Sequence, residues 1–185
     1  MPWISVIEEN EASEELLNLY EQIIKKRGNL SNIMKVQSHN PPAMQAHLDL
    51  YMTLMFRKSG LSREQREMIA VIVSRANRCQ YCLNHHSEAL NFYWKDKRRL
   101  QNFLNDFRSS DISEPEKAML EYALKLTLHP NQILEEEVIH LRENGFHDGD
   151  ILDINMITSY FNFVNRLANG LGVEFDPREV SGYKY

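Results

Sequence analysis

The amino-acid sequence predicts an all-α fold built as a single domain. Apolar residues recur at helical spacing in one segment after another, and residues that start or stop helices flank those segments. No run alternates apolar and polar residues as a half-buried strand does, and no glycine-rich phosphate loop or internal repeat occurs. A chain of 185 residues is long enough to enclose one substantial hydrophobic core.

Two helices are predicted in the first third of the chain. The first places Leu16 and Tyr20 on one apolar face and ends at Gly28, a residue that suits the left-handed end of a helix. The second begins after the two prolines of "NPPAMQAHLDLYMTLMF", because proline fits the opening turn of a helix but not its interior. Its apolar face runs from Met44 to Met55.

Two further helices carry an explicit start signal. Ser62 is followed three residues later by Gln65, and Ser113 is followed three residues later by Glu116. A serine and a glutamine or glutamate at this spacing can satisfy each other's backbone N–H groups at the start of a helix. The second of these helices is predicted to end at Pro130.

The last third of the chain predicts a short helix over about 134–144, ended by Gly145, and a long one in "ILDINMITSYFNFVNRLANGLG". The β-branched residues of the long segment are also compatible with a strand, but its length and its lack of turn residues favour a helix. Between the earlier and later helices lies the segment "NRCQYCLNHHSEALNFYW", which is read as a helix that begins at or just after Cys79.

The predicted organisation is an amino-terminal helical arm at 1–27, a helical domain at 28–175 and a carboxy-terminal tail at 176–185. The residues from about Glu174 onward are polar, so the end of the chain is expected to be only partly ordered.

Composition and charge exclude several classes of function. The net charge is −5 and no basic stripe stands out, so nucleic acid is not expected as a partner. The amino terminus lacks the pattern of a signal peptide, and no run of 18 apolar residues occurs, so no membrane partner is expected. These features favour a cytoplasmic protein, and no cofactor-binding motif is present.

Both cysteines of the chain, Cys79 and Cys82, lie within four consecutive positions. On a helix they share one face, about 60° apart. His86 is four residues beyond Cys82 and seven beyond Cys79, so it neighbours both, whereas His85 lies off the Cys79 side. Spacing therefore favours His86 as the partner of the thiols and leaves His85 as a second candidate.

Three interpretations of the cysteine pair remain open on spacing alone. The pair can be two small core residues. With His86 it supplies three zinc ligands, and the fold would then have to recruit a fourth from His47, His129, His140 or His147. It can also be a redox pair, because a helix amino terminus and an imidazole both favour the reactive thiolate, and a second thiol nearby can close a disulfide.

Glu67 precedes the cysteines on the helix that starts at Ser62. A glutamate between Glu64 and Arg66 is ordinarily solvated. Its other possible role is to share a proton with His86 across two packed helices. Spacing does not separate these two readings.

Together these residues resemble a known family. Glu67, eleven intervening residues, Cys79-x-x-Cys82 and then x-x-x-His86 match the core signature of the AhpD-like alkylhydroperoxidases, within the carboxymuconolactone decarboxylase superfamily. The segments "LSREQREMIAVIVS", "YCLNHH" and "SYFNFVNRLANGLGV" are similar to those of the peroxidase-related members, so the resemblance covers about residues 28–175. The decarboxylase branch lacks the cysteine pair, so lactone decarboxylation is not expected.

The resemblance implies a role for each of the four residues. Cys82 would be the nucleophile that peroxide oxidises to a sulfenic acid, and Cys79 the thiol that resolves it and can supply a proton to the leaving oxygen. His86 would act as the base, with Glu67 orienting it. The family is all-helical and forms homotrimers or homohexamers, with its active site close to a subunit interface.

One position departs from the family pattern. Alkylhydroperoxidases often carry a histidine immediately before the second cysteine, where this chain has Tyr81. A phenol with a pKa near 10 is a poor base at neutral pH, but it can donate a hydrogen bond.

The resulting hypothesis is a cytoplasmic thiol-dependent peroxidase that acts on organic hydroperoxides or hydrogen peroxide and is reduced by an outside dithiol. Two alternatives from other classes are a thiol–disulfide redox sensor or binding protein without significant peroxide turnover, and a structural metal module.

Overall fold

The computed structural model describes residues 2–180, and this part of the chain confirms the predicted all-α, single-domain fold, since it contains helices and no strand. The predicted tail residues 181–185 lie outside the described residues. Residues 2–180 form nine α-helices: α1 (Glu14–Arg27), α2 (Asn32–Lys35), α3 (Pro41–Phe56), α4 (Arg63–Ala76), α5 (Gln80–Trp94), α6 (Lys97–Asn105), α7 (Glu114–Leu128), α8 (Glu135–Glu143) and α9 (Asp148–Gly170).

The helix-start and helix-stop signals operate as predicted. The Ser62 hydroxyl accepts a hydrogen bond from the Gln65 N–H, and the Gln65 side chain accepts one from the Ser62 N–H. Ser113 and Glu116 form the same reciprocal pair at the start of α7. Gly28 ends α1 in the left-handed conformation with φ 89°.

Helix α4 lies at the centre of the molecule and packs against α5, α7 and α9. Every residue from Arg66 to Ser74 is buried, although a helix at the surface of a globular protein exposes one face. The main hydrophobic cluster surrounds this helix, with Met68 and Ile72 of α4 packed among Phe103, Leu120 and Phe161. A polar side chain anywhere between Arg66 and Ser74 must therefore find its hydrogen-bond partners inside the protein.

A second hydrophobic cluster joins α1 to α3. It contains Leu16, Tyr20 and Ile23 of α1 together with Met44 and Leu48 of α3. The amino-terminal helix is therefore fastened to the rest of the protein by its apolar face. The division of the chain into an arm, a domain and a tail stays a prediction.

One expectation about the ends of elements needs correction. Helix α9 begins at Asp148, before the predicted apolar segment, because the side chain of Asp150 accepts a hydrogen bond from the His147 N–H and so closes the first turn. Residues 177–180, within the predicted tail, form a short 3-10 helix whose Glu179 is buried. No helix in residues 2–180 combines the length and the apolar character that crossing a bilayer requires.

Candidate active site

Glu67 is fully buried in α4 and binds two donors at once. One carboxylate oxygen accepts a hydrogen bond from Arg63 Nη2 at 2.6 Å, and the other lies 2.7 Å from His86 Nδ1. Burial alone raises the pKa of Glu67, but the interactions of its carboxylate with His86 and Arg63 outweigh burial, so the pKa lies below its ordinary value. Of the two readings that spacing left open for Glu67, the structure supports pairing with His86.

The Glu67 carboxylate also determines how the His86 ring is oriented. A carboxylate can only accept hydrogen bonds, so His86 Nδ1 carries the proton that points at Glu67. Nε2 is then the ring nitrogen that can take up a further proton, and the neighbouring carboxylate stabilises the imidazolium that results.

The turn between α4 and α5 positions Cys79. Arg78 adopts a left-handed conformation with φ 53°. The Arg78 N–H bonds to the Arg75 carbonyl, and the Cys79 N–H bonds to the Ser74 carbonyl at 2.9 Å, which is the Schellman pattern that ends a helix. The Cys79 carbonyl in turn accepts the first hydrogen bond of α5 from Leu83. Cys79 therefore closes one helix and opens the next, as the predicted helix start at this residue requires.

The two thiols are free, buried and hydrogen-bonded to each other. Cys79 is 0% exposed and Cys82 is 2% exposed. A hydrogen bond from the Cys82 thiol lowers the pKa of Cys79, and the backbone N–H of Cys82 and the side chain of Asn165 add to the effect against the opposing influence of burial. The pKa of Cys82 is raised well above its ordinary value by that same hydrogen bond and by burial. Cys79 is the more acidic thiol of the pair.

Only one of the two thiols borders the cavity that lies between α1, α3, α4, α5 and α9. This cavity measures about 60 Å³ and has room for a few water-sized groups. Cys82, Glu67 and His86 line it, together with apolar side chains that include Leu48 and Phe161, whereas Cys79 does not line it. The thiol that a ligand in the cavity can meet is therefore Cys82, although the more acidic thiol is Cys79.

His85 and Tyr81 face a second carboxylate, which the sequence did not indicate. One oxygen of Glu179 accepts hydrogen bonds from the Tyr81 hydroxyl at 2.8 Å and from His85 Nε2 at 3.2 Å. Tyr81 and His85 both line the cavity. His85, the second candidate on spacing, thus has a partner of its own on the carboxy-terminal segment.

His47 of α3 also lines this cavity. Its Nε2 lies 2.7 Å from the Tyr160 hydroxyl and its Nδ1 lies 2.8 Å from Gln37 Nε2. Burial lowers the pKa of His47 from 6.5 to about 4, so the ring is neutral near pH 7.

An asparagine stripe on α9 holds the thiol turn in place. The Asn77 side chain donates to Asn162 and Asn165, and Asn169 donates to the Asn77 carbonyl. Asn165 also donates to the Ser74 hydroxyl and is fully buried. The signal that could have identified these residues is their spacing, since asparagines at 162, 165 and 169 recur on one face of the helix.

The structure brings together all four residues that the sequence predicted for the site. Cys79 and Cys82 are hydrogen-bonded, Glu67 and His86 are paired, and three of the four line one cavity. Of the remaining histidines named as possible zinc ligands, His47 lines the same cavity and the others do not. Within residues 2–180, no group of three or more His, Cys, Asp or Glu side chains is arranged to hold a metal ion.

Comparison with known proteins identifies one protein family and several similar structures. Residues 41–91, which run from the start of α3 into α5, match the carboxymuconolactone decarboxylase family. The crystal structure of an uncharacterized peroxidase-related protein from Ralstonia eutropha JMP134, described as an alkylhydroperoxidase AhpD core, is 30% identical. The match covers 97% of this chain and 94% of that one, with a TM-score of 0.87.

Two other structures are similar over almost the whole chain. An uncharacterized peroxidase-related protein from Silicibacter sp. TM1040 is 29% identical, with coverage of 99% and 96% and a TM-score of 0.87. The debrominase Bmp8, solved as a cysteine-to-alanine variant with 2,3,4-tribromopyrrole, is 20% identical, with coverage of 97% and 94% and a TM-score of 0.80. At that identity the likeness to Bmp8 concerns the fold.

Proposed function

Because the chain belongs to the AhpD/carboxymuconolactone decarboxylase superfamily, we propose that it is a thiol-dependent peroxidase that reduces organic hydroperoxides or hydrogen peroxide. One observation carries the proposal: Cys82 borders a small cavity beside the buried Glu67–His86 pair, and Cys79 is its hydrogen-bonded neighbour. A cavity of about 60 Å³ suits a small oxidant.

The proposed site activates Cys82 through its neighbours. Nε2 of His86 takes one proton from the thiol pair, and Glu67 stabilises the imidazolium. The two sulfurs then share one negative charge and one proton. The remaining proton is held by Cys79 as Cys82 attacks the peroxide, so that Cys82 attacks as the thiolate.

Two covalent steps follow. The Cys82 thiolate attacks one peroxide oxygen, so that an S–O bond forms, the O–O bond breaks, and the leaving oxygen takes a proton and departs as alcohol or water. Cys79 then attacks the Cys82 sulfenic acid, forming a disulfide and releasing water. An outside dithiol reduces the disulfide by thiol–disulfide exchange and is itself oxidised.

Substitution of each thiol tests the assignment. Replacing Cys82 with serine should abolish fast peroxide consumption, because serine cannot accept the peroxide oxygen. The Cys79→Ser protein should consume one peroxide and stop at a sulfenic acid, which a dimedone-type probe traps and mass spectrometry detects. Stopped-flow oxidation with hydrogen peroxide, combined with thiol counting, provides the rates. Peroxide consumption in Cys82→Ser equal to that of the unmodified protein would contradict the assignment.

A thiol–disulfide redox sensor without significant turnover is the second candidate. The raised pKa of Cys82 favours it, because a less acidic thiol supplies less of the reactive thiolate. The fold alone does not decide the matter, since a debrominase shares it. A sensor would form the disulfide reversibly but would not consume peroxide catalytically in the presence of a dithiol.

The assembly and location complete the proposal. We propose a homotrimer or homohexamer in the cytoplasm, where a dithiol pool keeps both cysteines reduced. An exposed apolar stripe on α9 supports self-association: Leu152, Met156 and Phe163 share one helix face and are 59%, 38% and 50% exposed. A single monomer species in sedimentation at micromolar concentration would contradict the assembly.

A further inference from the structure

The carboxy-terminal segment is fastened to the wall of the cavity. The Asn29 side chain donates hydrogen bonds to the backbone carbonyls of Arg178 and Glu179 at 3.3 and 3.2 Å. The Asn32 N–H donates to the Glu179 carboxylate at 3.0 Å. Both the backbone and the side chain at position 179 are therefore held in place, which fixes a carboxylate at a defined point beside α5.

Glu179 gathers donors at a single oxygen. Its Oε2 accepts from the Tyr81 hydroxyl, from His85 Nε2 and from a backbone N–H, while Oε1 is buried without a hydrogen-bond partner among the described residues. The Tyr81 hydroxyl itself accepts a hydrogen bond from the Ile33 N–H at 3.1 Å. Because the carboxylate only accepts, both Tyr81 and His85 are oriented with a proton toward Glu179.

Cys82 consequently lies between two carboxylate–histidine pairs. His85 and His86 follow Cys82 by three and four residues, so they project on either side of it, at about 60° and about 40° around the helix. His86 is paired with Glu67 on α4, and His85 is paired with Glu179 on the carboxy-terminal segment. Both histidines border the cavity that Cys82 borders.

We infer that Glu179, Tyr81 and His85 form a second proton-transfer unit, in which His85 protonates the leaving oxygen of the peroxide. The inference rests on the proposed peroxidase function. In it His85 is the catalytic acid, and Glu179 and Tyr81 are positioning residues. In this scheme the Glu67–His86 pair acts as the base at the sulfur. The Glu179–His85 pair acts as the acid at the leaving oxygen.

The chemistry of the first step requires such an acid. When the O–O bond breaks, the electron pair moves to the leaving oxygen, which would depart as alkoxide or hydroxide unless it receives a proton. Cys79 does not border the cavity and so cannot hand its proton to that oxygen directly. In the proposed step the His85 imidazolium gives up one proton and becomes neutral, the product is water or alcohol, and solvent returns the proton to His85.

The test compares two small oxidants that differ in how strongly the departing oxygen needs a proton. Hydrogen peroxide releases hydroxide, a strongly basic leaving group that departs readily only with a proton, whereas peracetic acid releases a carboxylate with a pKa of roughly 4 to 5 and needs little protonation. Stopped-flow rates of thiol loss would be measured for the unmodified protein, His85→Gln, Glu179→Gln and Tyr81→Phe. His140→Gln, which changes a solvent-exposed histidine, is the matched control.

We expect the substitutions to slow oxidation by hydrogen peroxide far more than oxidation by peracetic acid. His85→Gln should slow oxidation by hydrogen peroxide by about 100-fold and oxidation by peracetic acid by less than about threefold. Glu179→Gln and Tyr81→Phe should show the same selectivity with a decrease of about 10-fold for hydrogen peroxide, because they remove the orientation of the acid but not the acid. Tyr81→Phe retains the ring that packs in the wall, so it guards against a misfolded Glu179 variant.

Two other outcomes would overturn the inference. An equal decrease for both oxidants would make the unit structural, and unchanged rates would remove it from the reaction. If the unmodified protein loses its thiols to both oxidants only at the rate of an ordinary cysteine, the proposed function fails first and this inference fails with it.

Discussion

At the scale of single residues, the site depends most on Glu67, whose two oxygens serve different partners. Replacing Glu67 with glutamine removes the negative charge that faces both Arg63 and His86. We expect the first oxidation step to slow by about 100-fold, because the imidazolium loses its stabilising carboxylate. We also expect the free energy of unfolding to fall by about 3 kcal/mol, because Arg63 is left without its buried counter-charge. Stopped-flow oxidation and urea denaturation measure the two effects.

Glu64→Gln provides the control on the same helix. Glu64 is only partly buried, so its replacement should change the free energy of unfolding by less than about 1 kcal/mol and leave the oxidation rate unchanged. An unaltered oxidation rate in Glu67→Gln, together with the loss of stability, would make Glu67 a purely structural residue.

Some contacts between the site residues could be predicted from the sequence and others could not. The spacing of Cys79, Cys82 and His86 needs only one helix, so periodicity was sufficient to place them together. The pairing of Glu67 with His86 depends on how α4 packs against α5, and periodicity left it open. What decided it is the burial of α4 on all sides, which leaves no solvent for a carboxylate at position 67.

At the scale of elements, both ends of α5 carry a non-glycine residue in the left-handed conformation. Arg78 before the helix has φ 53° and Lys95 after it has φ 52°. This conformation costs an ordinary residue roughly 1 kcal/mol, and glycine avoids that cost. We expect Arg78→Gly and Lys95→Gly each to raise the free energy of unfolding by about 1 kcal/mol, measured by urea denaturation.

Valine at the same positions is the opposite control. A β-branched side chain is strongly disfavoured at positive φ, so Arg78→Val and Lys95→Val should lower the free energy of unfolding by about 1 to 2 kcal/mol. Stabilisation by valine would mean that the left-handed turn is not retained. Only the Arg78 variants should alter thiol reactivity, because Lys95 lies at the far end of the helix from Cys79 and Cys82.

Elements with local signals were predicted well and those without them were not. The serine-initiated starts of α4 and α7 depend on residues three positions apart, which a sequence displays directly. The four-residue helix α2 has no amphipathic period to detect. The start of α9 was misplaced because Asp148 and Asp150 resemble loop residues, although Asp150 bonds to the backbone of the first turn.

At the scale of the whole molecule, His47 links stability to pH. Its pKa is about 4 in the folded protein and near 6.5 in the unfolded chain, so the unfolded chain binds the extra proton first as the pH falls. The contribution of His47 to the free energy of unfolding is fully present above about pH 6.5 and is lost progressively as the pH falls toward 4. With about 1.4 kcal/mol for each pH unit in this window, we expect His47 to account for a loss of about 3 kcal/mol.

Urea denaturation at several pH values between 4 and 7 measures this dependence. His47→Gln should flatten the curve between pH 6.5 and 4, because the amide does not titrate in this range. His140→Gln, which changes an exposed histidine, should leave the curve as it is. Parallel curves for the unmodified protein and His47→Gln would contradict the assignment.

Contacts between distant parts of the chain mark the limit of what the sequence could indicate. The overall helical fold could be predicted from the helical periodicity of the apolar residues and from the capping residues. The pairing of Glu179 with Tyr81 could not, because it joins residues almost a hundred positions apart. Nothing in the polar segment around Glu179 distinguishes it from a solvated tail, since a single carboxylate has no period. Its role becomes visible only when the segment is seen lying against α5.

The depth at which the two sulfurs lie has a consequence for how the protein would be reset. With Cys79 and Cys82 0% and 2% exposed, another protein cannot reach a disulfide between them until part of the wall opens. The disulfide form would then persist after the oxidant has been consumed, so each molecule would stay oxidised until its wall next opens. We expect the reset rate to level off as the dithiol concentration rises, at the rate of opening, and a rate that continues to climb in proportion would show that the sulfurs are reached directly.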